Sequence, residues 1–153
     1  MAYLSLDAVS AALYAVLNVA GLTALAPGGI RDAVAQNQSY PFVLYAVDED
    51  ARGTGLGTKP GQNQLLTVGV RVHVFTKPST TKGAAAAGQQ VMSKVIELLS
   101  VTDALRSSLT SGGYRLCGSE PIYDETVTIG DAVIQGEVVH ETVASFRLYV
   151  EEL

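Results

Sequence analysis

The stretch from Leu65 to Leu99 constrains this chain most, because its apolar residues change period partway along. Leu66, Val68, Val70, Val72 and Val74 occupy every second position. An extended backbone puts all five on one face and Thr67, Gly69, Arg71, His73 and Phe75 on the other, which predicts a half-buried strand. After Thr76 the spacing lengthens: Ala84, Ala87, Val91, Val95, Leu98 and Leu99 recur at three and four residues, the stripe of an amphipathic helix. The helix is expected to fold back over the strand. At roughly 25 cal/mol per Å² of apolar surface, burying the two faces against each other makes this unit the nucleus to which the other elements add. Nothing in it is chemical.

A chain of 153 residues is expected to form one domain, 1–153, large enough to need no disulfide or metal. Its composition, 48% apolar and 16% charged, is that of a globular chain, and no apolar run approaches the roughly 20 residues of a membrane helix. The first residues, MAYLSLDAVSAALYAVLNVAGL, lack a basic start and carry Asp7, so they read as an amphipathic helix rather than a signal peptide. The single cysteine, Cys117, excludes an internal disulfide and a cysteine-based metal site and reads as a small strand residue. A net charge of −5 disfavours wrapping nucleic acid, and seven tyrosines, three phenylalanines and no tryptophan form no platform for base stacking.

In chain order, Ser5 caps a helix with Asp7 in its first turn and the stripe Val9, Ala12, Leu13, Val16, Leu17 and Ala20, stopped by Gly21. Leu22, Ala24 and Leu25 make a further apolar turn before the break at Pro27, Gly28 and Gly29. Ile30 to Val34 suits a short edge strand, and Pro41 leads into a strand from Phe42 to Glu49 that is apolar on both faces. Phe42, Leu44 and Ala46 share one face, and Val43, Tyr45 and Val47 the other. Asp50 to Asn63 holds Gly53, Gly55, Gly57 and Gly61 with Pro60, an overlong hairpin connection that cannot pack a core. Ser100 to Ser111 carries a short helical signal. Tyr114 to Gly118 and Ile122 to Ile129 read as strand material broken at Pro121, with a turn or loop tip at Gly130 and Asp131. In the last strand Ala144, Phe146, Leu148 and Val150 face inward, while Val143, Ser145, Arg147 and Tyr149 face out.

No constellation of catalytic residues emerges. The series Gly53, Gly55, Gly57 and Lys59 invites a phosphate-loop reading, but it opens a strand where a phosphate loop must open a helix. It is either a flexible hairpin tip or a partner-binding loop that orders on assembly. His73 and His140 have no metal-ligand spacing. His73 is expected to face outward, and His140 with Glu137 and Glu141 reads as a solvated strand end. The acidic run Asp48-Glu49-Asp50 lacks the alternation of a calcium loop, and no GxSxG or SxxK spacing offers a nucleophile. The expectation is a non-enzyme with no cofactor and no metal.

The order of pieces is more informative: a helix ending in LTAL, the strand IRDAV, SYPFVLYAVDED, a glycine-rich gap, LLTVGVRVHVFTKPSTTKGAAAAGQQVMSKVIELL, and a closing SFRLYVEEL. This series resembles the bacteriophage tail-completion family, the tail terminators or tail-to-head joining proteins of long-tailed phages, over nearly the whole chain. The resemblance rests on order and spacing. It implies an α+β fold, an antiparallel sheet of about four to five strands with two main helices packed on one face and one long hairpin loop. It also implies a virion subunit in the tail or neck, assembled in the host cytoplasm. Such subunits form a homo-oligomeric ring, commonly a hexamer, that caps the tail tube protein and offers the joint to the head completion or connector protein. The residues are compatible with a ring: Val43, Tyr45 and Val47, with Val143, Arg147 and Tyr149, would make outward faces more apolar than a monomer needs. Six copies would total about −30, so DNA would pass through the lumen without specific binding. Candidate interaction residues are Arg52, Gly53, Gly55, Gly57, Lys59, Tyr45, Arg147 and Tyr149. Arg52 and Lys59 either touch an acidic surface of the tube or the DNA, or stand solvated at the loop tip. No membrane contact is implied. The alternative is a small non-phage binding module or accessory subunit without catalytic activity.

Overall fold

The computed structural model describes residues 6–52, 65–78, 83–100 and 102–152. Among them the helices are α1 (Leu6–Leu17), α2 (Ala20–Thr23), α3 (Ala84–Ser100) and α4 (Thr102–Ser111). The strands are β1 (Ile30–Arg31), β2 (Phe42–Arg52), β3 (Leu65–Thr76), β4 (Tyr114–Ile134) and β5 (Glu137–Glu152). They form one sheet in the order β1-β2-β3-β5-β4, antiparallel at every junction except β1 with β2, which is parallel. The expected α+β architecture is present, with one parallel pair and a third substantial helix, α4, added to the layer.

One face of the sheet carries the main core. Val68, Val70, Val72 and Val74 of β3 are buried there with Ala144, Phe146, Leu148 and Val150 of β5, in a single cluster with residues of all four helices. From α3 the cluster takes Val91, Met92, Val95 and Leu99, which keeps the three-and-four spacing of an apolar stripe. Register explains the match, since Val70 stands opposite Phe146 and Val72 opposite Ala144, so the two alternating faces coincide.

The second strand corrects the sequence reading. Val43, Tyr45 and Val47 do not point outward: Val43 and Tyr45 are buried in the helix-facing core and Val47 packs against it. The alternation in β2 was clear, but both of its faces are apolar, and periodicity alone cannot say which one meets the helices. Pairing settles it, because Tyr45 stands opposite Val72 and Val47 opposite Val70, both on the helix side.

Other boundaries shift for local reasons. The first helix ends at Leu17 rather than Gly21, and α2 is a separate turn that begins after Val19 in extended conformation. The edge strand β1 is only two residues long. The Tyr40–Pro41 peptide before β2 is cis. Pro121 does not break β4, which runs on for 21 residues at the edge of the sheet; the register slips between Cys117 and Ile122, where a residue without an amide proton is tolerated. Gly130, at φ 95°, belongs to another such slip, and the turn lies further on at Gln135 and Gly136. Ser5 and residues 53–64 lie outside the described residues.

At the end of the sheet where β3 runs into α3, helix and sheet come closer than a side chain allows. A Cβ on Gly88 would lie 2.9 Å from Thr142 Oγ1 and 3.4 Å from Thr76 Oγ1, both on buried threonines. Thr76 donates a hydrogen bond to the Ala84 carbonyl at 2.7 Å, pinning the first turn of α3 to β3. Alanine at position 88 would gain about 1 kcal/mol in helix propensity and lose about 1–3 kcal/mol to overpacking. Gly88→Ala should therefore lower the thermal midpoint, and adding Thr142→Ala, which frees the space, should recover most of the loss. A double-mutant cycle by chemical denaturation reads this coupling, and strict additivity would show that the contact is not tight.

Candidate interaction surface

The face of the sheet opposite the helices presents the odd-numbered residues of β3 and β5. Arg71 is exposed there, and Val143, Ser145, Arg147 and Tyr149 are half-buried. His73 Nδ1 lies 2.8 Å from Glu141 Oε1, a cross-strand pair on this face. Toward the start of β4, Arg115 pairs with Glu151 at 2.6 Å, and the Cys117 thiol lies 3.8 Å from the same carboxylate. Burial pushes the Cys117 thiol up from its ordinary value, and the Glu151 charge adds to this against the smaller pull of Arg115. The Glu151 carboxylate also raises the guanidinium of Arg115. Such a mosaic of short apolar side chains and paired charges suits a broad protein contact better than a reaction, which needs reactive groups converging on one point.

At the end of the sheet where β2 begins, this face is covered. Phe42, Phe75 and Val139 form a second small core with Tyr40, Leu44, Ala132 and Ile134 around it, and the rings of Phe42 and Phe75 stack at 5.0 Å. Two segments close over it, the loop before β2 and the β4–β5 turn. Gln135 Nε2 donates to the Ala35 carbonyl at 2.7 Å, and Gln38 N donates to Gln135 Oε1 at 3.5 Å. Gln38 is itself buried: its Nε2 donates to the Gly28 and Ser39 carbonyls at 3.0 and 2.9 Å, and its Oε1 accepts from Ala35 N at 3.0 Å. Gly28 must be glycine here, since a Cβ would meet the Ser39 and Pro41 carbonyl oxygens at 2.1 and 2.7 Å. Lys77 pairs with Glu137 and lies 4.3 Å over the Tyr40 ring. Between loop and turn opens a cleft of about 440 Å³ lined by Gln36, Asn37, Gln38, Gln135 and Glu137.

The residues singled out from sequence do not converge. Arg147 and Tyr149 lie on the helix-free face as expected, whereas Tyr45 is 7% exposed and faces the helices. Arg52 ends β2, at the far end of that strand from the cleft. Gly53, Gly55, Gly57 and Lys59 lie outside the described residues. His140 corrects another reading: it is not a solvated strand end, because its Nε2 is buried without a hydrogen-bond partner on the helix side, beside Gly88. The carboxamides around the cleft give little sequence signal, because glutamines in loops have no periodicity. The one usable signal was Gln135-Gly136 between two apolar stretches, a turn dipeptide. Ile129, Val133 and Val138, at 55%, 70% and 64% exposed, stand out on the β4–β5 hairpin. Among the described residues no three His, Cys, Asp or Glu side chains gather as a metal site, and no helix is long and apolar enough to cross a membrane.

No protein-family model matches the chain, and no curated protein matches it. Its fold is similar to that of a chain in the virion of a native gene transfer agent particle. The TM-score is 0.67 at 18% identity, over 98% of this chain and 99% of that one.

Gln135 holds φ 52°, a conformation that favours asparagine or glycine, so its side chain is what the position uses. Gln135→Asn should keep the turn but fall short of the Ala35 carbonyl. Amide exchange at Gln38 should then quicken severalfold while global stability changes by less than about 1 kcal/mol; unchanged exchange would deny the clasp. The raised Cys117 predicts that alkylation near pH 8 lags behind that of free cysteine and catches up only at more alkaline pH. Glu151→Gln, removing the charge that opposes the thiolate, should move the midpoint of that pH profile downward.

Proposed function

We propose that this chain is a structural virion subunit of a long-tailed phage or phage-like particle. Its role is that of a tail terminator, a ring, hexameric by resemblance to that family, that caps the tail tube and forms the joint to the head connector. The observation that carries the reading is the end-to-end likeness of fold to a chain of a gene transfer agent virion, spanning almost all of both chains. The order of sequence pieces, which resembles the tail-completion family, supports it independently.

A closed ring needs two different patches on each subunit. The helix-free face with Arg147 and Tyr149, and the hairpin with Ile129, Val133 and Val138, are the surfaces assigned here to neighbouring subunits and to the tube. The acidic chain leaves a lumen that DNA crosses without being held. No catalytic step, cofactor or metal is assigned. The particle is the place of action, with assembly in the host cytoplasm.

Sedimentation of the purified chain, alone and mixed with isolated tail tubes, tests the reading. The expected product is several times heavier than the 16.0 kDa chain, and negative-stain images should show it as a ring at one end of the tube. A chain that stays monomeric at every concentration and never binds tubes would overturn the assignment. Val133→Asp with Val138→Asp, at exposed positions, should leave the fold melting normally and weaken the assembly at least tenfold.

A further inference from the structure

The cleft between the loop before β2 and the β4–β5 turn is built, but not all of its polar groups are used. The carboxamides of Gln38 and Gln135 are occupied in holding loop and turn together. Those of Gln36 and Asn37 are exposed and make no side-chain hydrogen bond among the described residues. Each offers two donors and an acceptor, the complement of a peptide group. Glu137 adds a carboxylate; Lys77 engages one of its oxygens and leaves the other open to a second cation. Among the described residues no aromatic side chain lines the cleft, and Lys77 covers the nearby Tyr40 ring, so these residues present no open stacking surface of the kind sugars favour. The chemistry fits an extended peptide that carries a positive charge and lets its backbone come close.

This chain contains such a segment. Residues 53–64, GTGLGTKPGQNQ, follow Arg52 at the end of β2 and include Lys59, four glycines and no acidic residue, in a chain whose net charge is −5. The segment joins the far ends of β2 and β3, whereas the cleft sits where β2 begins. The 11 residues of β2 span about 35 Å. Half of the connection between β2 and β3, run out and back, reaches only about 20 Å. A chain therefore cannot fill its own cleft, but it can fill a neighbour's.

We infer that the cleft lined by Gln36, Asn37 and Glu137 receives the Gly53–Lys59 segment of a second copy of this chain. Donor and acceptor then lie at opposite ends of one hairpin, a head-to-tail contact of the kind that closes a ring. The inference rests on the ring reading and adds a contact between its subunits to those of the helix-free face and the hairpin.

Two measurements test it. A synthetic peptide of residues 53–64 is titrated into the isotope-labelled full chain and the amide resonances are followed. Shifts concentrated at residues 36, 37, 135 and 137, weakened at least fivefold when the peptide carries Lys59→Glu, support the contact. No shift, shifts elsewhere, or shifts at these residues with maltohexaose but not with the peptide overturn it. The second measurement compares sedimentation of the wild-type chain with Gln36→Ala/Asn37→Gly, glycine preserving the φ of 57° at position 37. Tenfold weaker assembly at an unchanged melting temperature supports the contact. Equal assembly of variant and wild type overturns it and leaves the ring standing, whereas a wild type that never assembles counts against the ring, and the peptide titration still decides the contact.

Discussion

The pairing of β3 with β5 sets everything else, because each strand brings an alternating apolar face and the register makes those faces coincide. Twelve consecutive residue pairs run from Leu65 opposite Glu151 to Thr76 opposite His140. A slip of one residue would turn Val68, Val70, Val72 and Val74 away from the helices, so the register is held by the same burial it permits. All four helices rest on that surface, and the two outer hairpin partners, β2 and β4, are positioned by their ladders to it.

A one-sided core leaves a second face to be dealt with, and the chain treats its two ends differently. Where β2 begins, Phe42, Phe75 and Val139 are roofed by the loop that precedes β2 and by the β4–β5 turn, tied through Gln38, Gln135 and the Lys77–Glu137 pair. Further along, Arg71, Arg147 and Tyr149 have no helix above them. One end of this face is thus roofed and the other is open. The roof holds the cleft and hairpin together, and the open face carries the Arg115–Glu151 ion pair and the His73–Glu141 contact beside exposed Arg71.

Legibility followed periodicity. The inward residues of β3 and β5 and most of the α3 stripe were readable because a buried face must repeat at two or at three and four residues. Gly88 was not, since a glycine in a helix gives no apolar signal; its place is set by two buried threonines across the contact. The sequence cannot orient Tyr45, because β2 is apolar on both faces; the structure turns it toward the helices. The charged neighbours Glu137 and Glu141 point to a solvated His140, yet alternation sends His140 under α3 while Glu141 meets His73 on the other side. In β4, Pro121 and Gly130 looked like ends, but an edge strand absorbs both as slips of register.

The order of amino acids by itself determined the α+β class, the apolar stripes of β3 and α3, and the inward row of β5, because burial of an alternating or helical stripe needs no knowledge of distant segments. Only the tertiary structure decided which face of β2 lies inside, where the β4–β5 turn falls, and that Gln36, Asn37, Gln135 and Glu137 meet across roughly a hundred residues to make a cleft. Those outcomes depend on which strand stands beside which, and a side chain carries no record of a neighbour that far away.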